Sequence, residues 1–156
     1  MKNSNLLINI LIAGLIAGTL DILAAFLNAY LSSKIMPDAV LKYIASGVFG
    51  KSAFSGGIEM LFLGLLFHFI IAFACTSIFY LVYPMLPFLK FSLFANAILI
   101  GIVAWVIPTQ IIIPMSQITQ PPFDISKALV AILILIFFLG LPIAFGAKQF
   151  YEGQNQ

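Results

Sequence analysis

Apolar positions along the chain gather into four long runs, and most polar positions fall between them. Each run is long enough to cross the hydrocarbon core of a bilayer, which takes about 20 residues as a helix. Helices satisfy their own backbone hydrogen bonds in lipid, and the alternating pattern of barrel strands is absent from the sequence. The pattern predicts an all-α integral membrane bundle of four transmembrane helices, at residues 6–31, 58–83, 91–113 and 128–147.

The connection between the first and second runs carries an element of its own. Residues 38–49 follow Pro37, and Asp38 stands where the positive end of a helix dipole favours an acid. Their apolar positions have helical spacing, but the segment is too short to span a bilayer. We expect a short amphipathic helix that lies on the membrane surface or dips into a cavity between the spans. The chain, residues 1–156, is therefore predicted to form a single transmembrane domain.

The remaining connections predict helix neighbours and helix ends. Residues 84–90 join the second and third spans tightly, so we expect those two spans to be antiparallel neighbours. Asp124 or Ser126 is a suitable N-cap for the fourth span. The first run follows a lysine, as in a secretory signal, but its length and the lack of a clean cleavage motif favour a retained helix.

The composition agrees with a membrane protein and excludes several other classes. Hydrophobic residues make up 63% of the chain and charged residues 8%, against about 25% charged residues in soluble domains. A soluble enzyme and a nucleic-acid binder are excluded, and the net charge of +2 indicates no polyanionic partner. The expected partner is the lipid bilayer.

The lysines do not orient the chain in the membrane. With four spans both termini share one side, together with Lys2, Lys90 and Lys148, while the other four lysines lie opposite. The positive-inside rule needs an excess on one side, and this distribution has none. We place both termini in the cytoplasm.

Small residues within the spans predict where helices touch. Transmembrane helices associate through close approach at glycine and alanine. Gly14 and Gly18 have GxxxG spacing in the first span, and Gly64 and Gly101 stand on similar stripes of the second and third. The fourth span has no polar side chain between residues 128 and 147, so we expect it to be the most lipid-exposed.

Asp21 and His68 are ionisable residues inside predicted spans, where such groups need partners. At a rise of about 1.5 Å per residue the two lie at nearly the same depth, with Thr109 and Gln110 of the third span in the same layer. The sequence predicts that Asp21 and His68 interact. The pair is either a proton-responsive element near physiological pH or a polar contact that fixes helix register.

No other chemistry is predicted. The chain has one histidine and one cysteine, so we expect no metal site and no cofactor. Residues 45–52 match a relaxed phosphate-loop pattern, but they follow a short amphipathic helix rather than a strand. We therefore expect no nucleotide and no nucleic acid as partners. No nucleophile, base and acid set is visible, which argues against an enzyme.

Several short motifs resemble those of a known family. These are Leu65-Leu66-Phe67-His68-Phe69 with Ala72-Phe73 and Tyr83-Pro84, the span containing Gly101, and Gln120-Pro121-Pro122-Phe123-Asp124. Together they resemble the YagU-type inner-membrane proteins of bacteria, whose molecular function is unknown. The chain departs from that pattern in lacking a second histidine in its last span. The resemblance implies a multi-pass protein of the bacterial cytoplasmic (inner) membrane, with an association with acid tolerance.

Two functional hypotheses follow. The first is a small transport or channel-type protein with a path near Asp21 and His68. Four helices enclose little volume, so such a protein is expected to be a homo-oligomer. The second is a non-catalytic structural or accessory membrane subunit, linked to acid or envelope stress, in which the polar residues only hold helices together.

Overall fold

The computed structural model describes residues 5–116, 118 and 122–154. Throughout this part of the chain the regular elements are helical, which confirms the predicted all-α class. Four helices are long and apolar enough to cross a membrane, and a short helix lies between the first and second of them. The helices are α1 (Leu6–Ser33), α2 (Pro37–Phe49), α3 (Ser52–Ser55), α4 (Ile58–Val82), α5 (Leu93–Met115) and α6 (Ile125–Gln154).

Side-chain caps explain where the spanning helices begin. The Asn5 side chain accepts a hydrogen bond from the backbone at the start of α1, and Ser92 does the same for α5. Asp124 caps α6 by accepting from the Ser126 and Lys127 amides at 2.9 and 3.2 Å. The backbone N–H groups of a first helical turn have no acceptor within the helix, and an N-cap side chain supplies one. Helix α6 therefore begins directly after Asp124, three residues before the predicted span at 128–147.

The helices do not pack in the order predicted from the short connections. α1 lies between α4 and α6, and α5 packs chiefly on α6. α4 and α5 touch each other only weakly, so the expectation that these two spans are close neighbours was wrong. The physical reason is α2, which packs against α4 and also reaches the carboxyl-terminal end of α5.

The glycines predicted at helix contacts lie against neighbouring helices. An ideal Cβ on Gly14 would overlap the Phe73 ring, and one on Gly18 would lie 2.9 Å from Phe69 Cε1. One on Gly101 would lie 2.6 Å from Ile136 Cγ1. These positions join α1 to α4 and α5 to α6 at separations that a larger side chain does not allow.

The last span is not the most lipid-exposed one. In its most apolar stretch 28% of α6 is buried in the bundle, against 17% for both α4 and α5. The expectation failed because small residues let α6 approach its neighbours: Gly140 lies against the Ala97 backbone, and Ala144 and Ala147 are fully buried. An absence of polar side chains does not show that a helix faces lipid, since apolar packing in the bundle gives the same pattern.

Two spanning helices widen locally into π-helix. In α5 the π segment is Ile107–Ile112, and in α6 it is Leu135–Gly140. Pro108 lies inside the first segment, and Pro142 follows the second by two residues. Proline has no N–H and its ring clashes with the carbonyl four residues earlier, so the regular hydrogen-bond ladder is interrupted near both prolines, and each helix resumes beyond the interruption.

Candidate functional site

The short helix α2 fills the gap that α4 and α5 leave between them. Its Leu41 backbone contacts Gly64 of α4 so closely that a Cβ there would overlap the Leu41 carbonyl. On its other side a Cβ on Gly47 would lie 3.2 Å from Ile112 Cγ2 of α5. Ser46 is completely buried and donates a hydrogen bond to the Tyr43 carbonyl at 2.6 Å. Through these contacts α2 packs against both α4 and α5.

A partly open cavity of about 320 Å³ lies behind α2, between the four spanning helices. All four contribute to its wall, as does α2. Most of its surface is apolar, which is usual for sites that bind small molecules. The residues with polar atoms in its lining are Asp21, Asn28, Tyr43, His68, Trp105 and Thr109.

Asp21 and His68 face each other across the α1–α4 contact in the wall of this cavity. His68 Nδ1 lies 4.0 Å from Asp21 Oδ2, so the contact predicted from helix depth is present. The two side chains are only 11% and 12% exposed, which makes this a buried pair. The opposite ring nitrogen, Nε2, lies 2.8 Å from the Gly18 carbonyl oxygen. The imidazole thus hydrogen-bonds to α1 through Nε2, while Nδ1 faces the Asp21 carboxyl group at a distance longer than a hydrogen bond.

The Gly18 contact restricts where the protons of the pair can be. A carbonyl oxygen only accepts hydrogen bonds, so His68 Nε2 must carry a hydrogen. The remaining exchangeable proton belongs to His68 Nδ1 or to the Asp21 carboxyl group. With that proton the pair has no net charge, either as imidazolium and carboxylate or as two neutral groups. Without it the pair has one net negative charge, which a membrane interior strongly disfavours.

Both π segments take part in the cavity wall. Pro108, Thr109 and Ile112 line it from the α5 segment, and Leu135 and Leu139 line it from the α6 segment. Thr109 Oγ1 donates to the Trp105 carbonyl at 2.5 Å, which occupies an acceptor in the widened turn. Single π turns inside α-helices are frequent at functional sites, and here two of them converge on one cavity.

The structure separates the two polar residues predicted in α5. Thr109 lines the cavity with Asp21 and His68. Gln110 is exposed, and its amide lies 3.4 Å from Thr109 Oγ1 rather than near the pair. The side of this segment that faces the cavity carries the successive residues Pro108 and Thr109 but not Gln110.

Tyr43 and Trp105 belong to the cavity but were not among the predicted site residues. Trp105 carried a signal that could have identified it: tryptophan usually marks the membrane interface, whereas this one is near the middle of α5. Tyr43 lies on α2, and no sequence pattern predicts where α2 packs relative to the spanning helices. Burial against the bundle raises the pKa of the Tyr43 phenol, so this group stays neutral at physiological pH.

The phosphate-loop-like segment has no phosphate-loop structure. Residues 45–52 cover the end of α2, a turn at Gly50, and the first residue of α3. Gly50 has φ of +59°, a left-handed conformation that favours glycine and ends α2 there. Among the described residues no group of three or more His, Cys, Asp or Glu side chains is placed to hold a metal ion.

These features describe a helical bundle with four helices suited to span a membrane and an ionisable pair in the wall of a cavity between them. No protein-family model, no curated protein and no solved structure matches the chain. Gln120 and Pro121 of the family-like motif lie outside the described residues, as does Lys2 of the orientation argument.

Proposed function

We propose that this chain is a small transport-type membrane protein in which Asp21 and His68 are the proton-responsive element. The observation that supports the proposal is the position of the pair, which is buried and yet lines a partly open cavity between the spans. Ionisable groups within spans that face a cavity are characteristic of ion and proton pathways. Histidine is the residue type that pH-responsive sites in proteins most often use.

The proposal includes a setting for the protein. The resemblance to the YagU-type proteins favours the inner membrane of a bacterium, and we place both termini in the cytoplasm. The cavity that contains the pair has a volume of about 320 Å³, which is small for alternating access within one chain, so we propose a homo-oligomer. Cysteines introduced singly near the termini, tested with an impermeant thiol reagent in intact cells, would reveal the orientation. Labelling of either terminus by reagent added outside the cells would contradict the cytoplasmic location of the termini.

Reconstitution into liposomes tests the transport function. Fluxes of protons and small ions would be followed for the wild-type protein, Asp21→Asn and the matched variant Asp38→Asn. Asp38 is exposed in the first turn of α2 and lies outside the cavity lining, so its substitution should leave flux unchanged. Asp21→Asn should abolish flux. Wild-type fluxes no faster than those of empty liposomes would contradict the proposal.

A second candidate function has its own supporting observation. His68 contacts both Asp21 and the Gly18 carbonyl, and such a two-sided contact is also what a purely structural clamp between α1 and α4 would use. The protein would then be a non-catalytic structural or accessory subunit, linked to acid or envelope stress. His68→Gln distinguishes the two: lower stability with unchanged pH-dependent behaviour favours the structural role.

A further inference from the structure

We propose that the cavity binds an organic monocation with an apolar body, in exchange for the proton that Asp21 and His68 share. This inference deepens the proposed function, because it uses the same site and names its ligand class. Three properties of the cavity support it: the charge of the lining, the aromatic and apolar side chains of the lining, and the poorer fit of other ligand classes.

The first property is the charge of the lining. Among the residues that the structure describes, Asp21 is the only Asp, Glu, Lys or Arg in the cavity lining, and His68 is its only ionisable partner within 4.0 Å. When the pair loses its shared proton, one negative charge remains in an apolar surrounding. A cation in the cavity restores neutrality, so the deprotonated pair and a bound cation stabilise each other.

The second property is the aromatic and apolar lining. Trp105 from α5 and Tyr43 from α2 both line the cavity. Rings of these two types attract cations placed over their faces, and quaternary ammonium groups are recognised in this way. Most of the remaining wall consists of aliphatic side chains, which suit an apolar body better than a hydrated ion.

The third property is that other ligand classes fit less well. An anion would face the Asp21 carboxylate with neither lysine nor arginine in the lining. Ca²⁺ and Mg²⁺ take six or more oxygen ligands, and the described side chains of the lining supply one carboxylate and the single oxygens of Asn28, Tyr43 and Thr109. The affinity for an uncharged solute would not increase when the pair loses its proton, so binding of such a solute would not be coupled to proton release.

The exchange is balanced in protons and charge. The neutral pair, holding one shared proton, takes up one cation and releases one proton to the solution, so the site stays neutral. The other titratable group of the cavity lining is the Tyr43 phenol of α2. Among the lining residues, α5 and α6 contribute no titratable group.

The chain contains a built-in probe for the test, since Trp105 is its single tryptophan and lines the cavity. Purified full-length protein in mild detergent would be titrated with benzyltrimethylammonium while the tryptophan fluorescence is recorded. The expected result is saturable quenching whose apparent Kd falls about tenfold for each unit of rising pH, until the pair is deprotonated without ligand. One proton should be released for each cation bound.

The controls separate charge from shape. Neopentylbenzene, which has carbon in place of the ammonium nitrogen, should bind more weakly and without pH dependence, and this comparison needs only the wild-type protein. Asp21→Asn should lose both the pH dependence and at least tenfold in affinity, while Asp38→Asn should behave like the wild type. Absence of saturable quenching by the cation at every pH would overturn the proposal, as would equal binding of the uncharged compound.

Binding and flux are measured separately, so the two proposals can fail separately. Saturable, proton-linked binding without any flux in liposomes would retain the ligand class and reject transport. Flux of protons or small ions without binding of the organic cation would retain transport and reject this ligand class.

Discussion

Gly64→Ala is the change that most directly tests how α2 is held over the cavity. An alanine Cβ at this position would overlap the Leu41 carbonyl oxygen and lie 2.8 Å from the Leu41 carbonyl carbon. Non-bonded carbon atoms prefer about 3.5–4.0 Å, so α2 must move away from α4 by about 1 Å. The obstacle is backbone, which cannot rotate aside as a flexible side chain can.

The expected size of the effect follows from this geometry. Overpacking a well-packed contact by one methyl group typically costs about 1–3 kcal/mol, or about 5- to 150-fold in the equilibrium constant. If α2 separates from the bundle before the four spans unfold, the substitution cannot reduce stability by more than the free energy with which α2 binds to the bundle. In that case the amides of residues 38–49 should exchange with solvent faster, while those in the middle of α1 should not.

The assay is unfolding by a denaturing detergent, together with hydrogen exchange of the folded protein. Gly153→Ala is the matched control, because a Cβ at Gly153 would have no heavy atom within 4 Å. The control should unfold like the wild type, whereas Gly64→Ala should unfold at lower denaturant or release α2. If Gly64→Ala matches Gly153→Ala in both measurements, α2 is not held by this close contact.

Three further predictions concern packing, a buried hydrogen bond and pH. Gly18→Leu should destabilise the protein far more than Ile134→Leu, which conserves volume and should cost less than about 1.5 kcal/mol; equal unfolding midpoints would contradict this. Asn96→Leu removes the 2.6 Å hydrogen bond to the Leu89 carbonyl and should cost about 1–3 kcal/mol in the same assay, and an unchanged midpoint would count against that bond. Burial raises the pKa of the Tyr43 phenol in the folded protein above the value of about 10 that tyrosine has in an unfolded chain. The neutral phenol therefore contributes fully to stability below about pH 10, and this contribution is lost as the pH rises through the pKa of the folded protein. Tyr43→Phe should therefore lose less stability than the wild type on alkaline titration, and parallel titration curves would contradict this.

The sequence alone was sufficient for the membrane class, the four spans and the short helix between the first two. These follow from the lengths of apolar runs, because a bilayer requires about 20 apolar residues per helix and permits few other structures. The depths of Asp21 and His68 could also be predicted, since helical rise is constant and the two helices run in opposite directions.

The neighbours of each helix depended on tertiary structure. The tight 84–90 connection suggested that α4 and α5 pack together, but α2 fills the space between them and α5 packs on α6 instead. Loop length limits how far apart two helix ends can be, yet it does not decide which faces meet. That choice depends on close contacts such as Gly140 with the Ala97 backbone, which join residues distant in sequence.

The cavity was likewise a product of tertiary structure. Trp105 and Tyr43 reach it from helices whose relative position no local pattern specifies, and the π segment beside Pro142 brings part of α6 into its wall. The apolar runs predicted how the chain crosses the membrane because crossing is a property of each helix by itself. The cavity exists because five helices meet around a space that none of them fills, and such a space depends on all of their positions together.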